Sequence, residues 1–153
     1  MSRKVLRAAL VLLVAIQFVP VDRSNPPVES EVPATAEARA VLKRACYDCH
    51  SNQTVWPWYS RIAPVSWLVA HDVHEAREHM NFSTWERYSG KKRREHLEEA
   101  WEAVDKGEMP PWFYLPMHPD ARLDDADLEV LRAWSQGALM DSREVPPVIS
   151  RAV

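Results

Sequence analysis

Apolar and polar positions along this chain recur mainly with the period of a helix. The first apolar stretch, Ala8 to Val19, is broken only by Gln17 and follows Arg3, Lys4 and Arg7. A basic flank ahead of a short apolar run is the layout of an export signal. The run is short for a comfortable membrane span of ~20 residues. No small-x-small cleavage site follows it directly, because Phe18-Val19-Pro20-Val21 is bulky. Ala34-Thr35-Ala36 fits the pattern but lies far downstream. Residues 1–21 are therefore expected to form an uncleaved signal anchor with its basic end in the cytoplasm, the alternative being a cleaved signal peptide. On either reading the rest of the chain is exported. Residues 22–34 carry three prolines and read as an extended linker holding the domain off the membrane.

Four helical segments are predicted over 35–140, with almost no strand alternation and a tail over 141–153. The first starts at Thr35 as N-cap and runs towards Cys49, with Ala38, Val41, Leu42 and Ala45 at helical spacing. The second starts near Pro64, and Val65, Leu68, Val69, Val73, Ala76 and Met80 share one face. The third opens on Ser83-Thr84-Trp85-Glu86, which has the form of a capping box. Gly90 bends or breaks it, Leu97, Ala100, Trp101 and Val104 line one side, and Gly107 ends it with a left-handed cap. The fourth begins at Asp124, buries Leu128, Leu131 and Trp134, and ends at Gly137. Leu123 and Leu128 sit where a hydrophobic staple would. The expected fold class is all-α.

Composition narrows the function. A chain of 153 residues suits one modest domain, and a net charge of −3 gives no electrostatic case for nucleic acid. Seven tryptophans need a large apolar partner, either a core or a flat cofactor. The two cysteines are too few and too close for a disulfide framework.

Those cysteines belong to Cys46-Tyr47-Asp48-Cys49-His50, a CxxCH sequence. Two thiols about one helical turn apart can each add to one haem vinyl group, and the adjacent histidine then lies under the iron as proximal ligand. A thioredoxin-like pair would need a strand before it and a βαβ context, which the pattern lacks. Half of a zinc site would need further ligands, and no second CxxC exists. Export, CxxCH and the all-α pattern together favour one covalently bound haem c.

An electron-transfer haem fills both axial positions, and a thioether opposite histidine raises the potential. Met109 is the first candidate. It follows Gly107 and precedes Pro110-Pro111, which hold it on a stiff, non-helical loop. Met117 and His118 lie in a similar stretch, Pro116-Met117-His118-Pro119, and are the alternatives. Met80 is a further thioether. His71, His74 and His79 on the second helix offer a bis-His arrangement, though helix-surface histidines are mostly solvated. His71 and His74, at i and i+3, can also bind a surface metal. His96 falls in the charged run Lys91 to Glu99, read as a solvated face. The loop Trp56-Pro57-Trp58-Tyr59-Ser60-Arg61 either walls the haem and bonds its propionates or is plain loop packing.

Several stretches together resemble the small bacterial haem-binding domain family of c-type cytochromes: QFVPVDRSNPPV from Gln17, CYDCHSNQTVWPWYSRIAPVSW from Cys46, NFSTW from Asn81 and GEMPPWFYLPMHPDARL from Gly107. The resemblance implies a cytochrome c-like helical domain with haem c on Cys46 and Cys49, His50 as proximal ligand, export, and an N-terminal membrane segment at the periplasmic side of the bacterial inner membrane. Similarity to the Met-Pro segment of c-type cytochromes in general supports Met109 as distal ligand. The expected function is one-electron transfer by a monohaem c-type cytochrome, not an enzyme. Its expected partners are a redox protein and the membrane, and not nucleic acid. The alternative is a haem-based sensor or peroxidase-like protein with an open or labile distal site, although no distal acid–base pair is evident beside Met109.

Overall fold

A computed structural model describes residues 2–144. The helices are α1 (Arg3–Ala15), α2 (Ala36–Ala45), α3 (Tyr47–His50), α4 (Val65–His79), α5 (Gly90–Asp105) and α6 (Asp125–Glu144), joined by loops and short 3-10 turns. Among the described residues the only β feature is an isolated bridge between Ser30 and Thr84. The all-α class is as expected.

Helices α5 and α6 pack on each other, α2 packs on α6, and α3 on α4. Phe82 sits where they meet, with ring centroids 5.5 Å from Tyr47, 6.2 Å from Trp85 and 6.3 Å from Trp134. Leu42, Leu97 and Leu131 complete the centre of this core. Each such side chain contributes about 1.5–3 kcal/mol by leaving water.

The helix ends follow local chemistry. Thr35 Oγ1 accepts from Ala38 N at 3.2 Å and starts α2. Gly107, at φ +69°, ends α5 in the left-handed region that favours glycine. Before α6, Asp124 and Asp127 cap each other's backbone N–H reciprocally, at 2.9 and 3.0 Å. An ion pair between Arg44 and Asp127 ties this start to α2.

Five expectations are corrected. First, no helix starts at Ser83. Its hydroxyl accepts instead from Asn52 N at 3.0 Å, a long-range bond that keeps the segment in a loop; Ser89 caps α5. Second, α6 runs through Gly137 to Glu144, because helical hydrogen bonding outweighs the ~1 kcal/mol cost of one internal glycine. The expected domain end at 140 falls inside this helix, and 145–153 of the expected tail lie outside the described residues. Third, α4 buries Ser66, Ala70 and Val73, while Val65 and Leu68 face outward. The helix is turned by its docking on α3, and small residues permit the close approach. Fourth, the first helix is not continuous to Cys49: Cys46, at φ −127°, interrupts it, and α3 restarts the turn.

Fifth, residues 22–34 do not stand away as a spacer. Val32 is fully buried, and its N–H donates to Phe82 O at 3.2 Å. Trp134 Nε1 donates to Pro33 O at 2.8 Å, and Asn52 Nδ2 to Pro27 O at 2.9 Å. Prolines supply acceptors without donors, so an extended strap satisfies the domain's donors without forming a sheet edge. Helix α1 meets the domain through Gln17, which donates to Ala63 O at 3.1 Å and accepts from Ala63 N at 2.9 Å. Among the described residues, no helix is long and apolar enough to cross a membrane. With 13 residues, α1 is about 20 Å long against a hydrocarbon core of about 30 Å.

Candidate functional site

His50 closes α3 and is held from one short segment. Its carbonyl accepts from Phe82 N at 2.8 Å, and its Nδ1 lies 3.1 Å from Met80 O. A carbonyl only accepts, so Nδ1 carries the proton and Nε2 keeps its lone pair. Burial lowers the His50 pKa, while the Met80 hydrogen bond works the other way; the net shift is downward. The imidazole is thus neutral near pH 7, the form that ligates a metal.

A buried polar network fixes that segment. Asn81 Nδ2 donates to Asn52 Oδ1 at 2.8 Å, and Asn81 Oδ1 accepts from Ser83 N at 2.9 Å. Asn81 N donates to Tyr88 OH at 2.9 Å. Arg77 spans the other side, donating to Ser51 O at 2.8 Å and Thr54 Oγ1 at 2.7 Å. Sequence reasoning missed the supporting roles of Asn81, Ser83 and the Met80 carbonyl. The signal was the NFSTW stretch, which local rules read as a helix cap.

Cys46 and Cys49 are free thiols. Burial pushes Cys46 up to about 12 and Cys49 up to about 11, with Cys49 and Asp48 respectively adding to the rise. Both are protonated at neutral pH, unlike the depressed thiolate of a redox pair. The cluster of metal-capable side chains found among the described residues contains neither cysteine, so a cysteine zinc site lacks further ligands there.

Beside α3 lies an apolar cavity between α2, α5 and α6. Leu42, Phe82, Trp101, Val104, Leu131 and Trp134 wall it, and Cys46, His50 and Met109 all line it. Cys49 is not among its lining residues. Met109 reaches the cavity because the Gly107 cap reverses the chain: Glu108 N and Met109 N both donate to Ala103 O, at 2.9 and 3.1 Å. Met109 is 40% exposed, so the cavity opens to solvent on that side.

The alternatives to Met109 lie elsewhere. His118 stacks on Tyr114 at 3.8 Å, and its Nε2 is 2.6 Å from Tyr59 OH. Tyr114 OH in turn donates to Asp48 Oδ2 at 2.9 Å. Met117 is exposed, and neither it nor His118 lines the cavity. The rings of Trp56, Trp58 and Tyr59 do not line it either, which supports loop packing. Met80 and His79 do line it, His79 at an exposed rim, while His71 and His74 are absent from it. His96 is not on a solvated face: it is fully buried, because α5 turns it under Tyr88.

The described residues form a small helical domain in which an imidazole, a thioether and the Cys46 thiol line one apolar cavity, with Cys49 on the same turn as His50. Residues 11–137 match the model of a family described as a haem-binding domain, and the chain belongs to that family. No curated protein and no solved structure matches the chain. The residues present fit haem: apolar walls for the macrocycle, a neutral histidine with a free Nε2 for iron, and two reduced thiols on the same turn.

Proposed function

We propose that this protein is a monohaem c-type cytochrome that carries single electrons at the outer face of the inner membrane. The observation that carries the reading is the convergence of Cys46, His50 and Met109 on one apolar cavity. Bound haem supplies one-electron chemistry by cycling its iron between ferric and ferrous. His50 would hold the iron through Nε2, with Met80 O fixing its tautomer and ring plane. Met109, which lines the same cavity, would offer its thioether as a second ligand. Cys46 and Cys49 would hold the cofactor covalently, as thioethers formed by addition of each S–H across a vinyl C=C. No oxidant is needed and nothing leaves. The apolar walls of Leu42, Phe82, Leu131 and Trp134 would shield the inner part of the cofactor, while the Met109 side stays open to solvent.

The N-terminal segment anchors the domain. Val5, Leu6 and Leu10 to Val14 are all exposed, which suits a lipid environment, and Gln17 couples the segment to the domain. The partner is a redox protein, and no catalysis is assigned.

A second reading has one observation behind it. The exposure of Met109 favours a distal ligand that dissociates, as in a haem-based sensor or peroxidase-like protein. The absorption spectrum of exported protein separates the two. A carrier is six-coordinate, loses its Met–iron charge-transfer band in Met109→Ala, and in wild-type form ignores CO. Rapid CO binding by the wild type would favour the sensor. An unchanged spectrum in Met109→Ala would remove that residue as the ligand.

A further inference from the structure

We propose that His79, His96 and Glu99 form a second metal site, at the rim of the cavity that His79 and Glu99 also line, that takes one divalent cation of the zinc type without using His50 or Met109. His79 is the last residue of α4, and His96 and Glu99 lie three apart on α5. One ligand atom from each falls within 4.8 Å of the others. Glu99 Oε2 lies 3.3 Å from His96 Nδ1 and 3.5 Å from His79 Nε2.

These separations are long for charge-assisted hydrogen bonds, which favour about 2.7–2.9 Å. They suit a shared metal. Two ligands held about 2.0–2.1 Å from a tetrahedral centre lie about 3.3–3.4 Å apart. The third edge, between the histidines, closes by a shift of the His79 side chain, which is 62% exposed.

His96 adds an independent observation. It is 0% exposed, and its Nδ1 is the ring nitrogen that faces Glu99 Oε2. Tyr88 packs edge-on against its ring at 4.7 Å. A fully buried imidazole held towards a carboxylate is a preorganised donor. Two imidazoles and one carboxylate favour zinc over magnesium or calcium, and the exposed side leaves a fourth position for water. A cation here would clip the end of α4 to α5. Met80, whose carbonyl orients His50, is the residue after His79.

The test is calorimetric titration of chelator-treated holoprotein with zinc chloride, with zinc and iron counted afterwards and the haem absorption recorded. One zinc per haem iron is expected. His79→Ala and Glu99→Gln should each weaken binding at least tenfold, while the double variant His71→Ala/His74→Ala should bind as the wild type does. Because His96 is buried, the two exposed ligands carry the test. Absence of uptake overturns the proposal, as does uptake that survives both single variants or that is lost in the double variant. Loss of haem in both single variants would also overturn it, by assigning these side chains to the haem cavity itself.

Discussion

The two walls of the cavity are built differently. On the His50 wall, both the carbonyl and the ring of the histidine are held, by Phe82 N and Met80 O, and those residues are locked by Asn81, Asn52 and Ser83. On the Met109 wall, the side chain hangs from a helix end by its own N–H and remains 40% exposed. A buried, fully satisfied network has few alternative arrangements. A loop held by one cap opens at lower cost. The difference teaches that the imidazole is a permanent fixture and the thioether the adjustable one. Any change in ligation is therefore expected at Met109.

That contrast can be broken most severely at His50. His50→Ala should abolish the low-spin six-coordinate spectrum, read directly by absorption of the exported protein. Next comes Asn81→Ala, which strips buried partners from Asn52 Oδ1 and Ser83 N. At about 1–3 kcal/mol for each unsatisfied group, a stability loss of about 3 kcal/mol is expected in urea titrations.

Gly107→Ala sharpens the comparison from the other side. A Cβ there meets nothing within 4 Å, but φ of +69° costs any other residue about 1–2 kcal/mol. The loss should appear both as a lower Tm and as faster CO binding, since the strain falls on the Met109 loop. The smallest effect belongs to Asp124→Ala, away from both walls. It should lower stability by about 1 kcal/mol through the lost cap and leave the haem spectrum unchanged.

What was legible in the sequence was mostly local. Thr35, Gly107 and Asp124 mark helix ends through bonds to residues three or four positions away, which short-range rules capture. Cys46 to His50 is legible for the same reason. What escaped depends on distant pairings. Ser83 looks like a cap until Asn52, thirty-one residues away, takes its hydroxyl. His118 looks like a ligand until Tyr59 and Tyr114 close around it. His96 sits in a charged run, but the turn of α5 and the ring of Tyr88 decide its burial. The apolar Val65 and Leu68 suggested a core face, yet smaller residues on α4 make the close contact. The segment after α1 is rich in proline and polar residues, and only its pairing with Phe82 and Ser83 reveals a strap.

A covalent haem on Cys46 and Cys49 beside His50 would be read from the intact mass of denatured protein exported with haem c assembly active. Because each thiol adds across a double bond with no atoms lost, the predicted mass is that of the mature chain plus one whole haem. Cys46→Ala/Cys49→Ala should return the chain mass alone. A wild-type chain that sheds its haem completely on denaturation, and so shows the bare polypeptide mass, would rule out covalent attachment through Cys46 and Cys49.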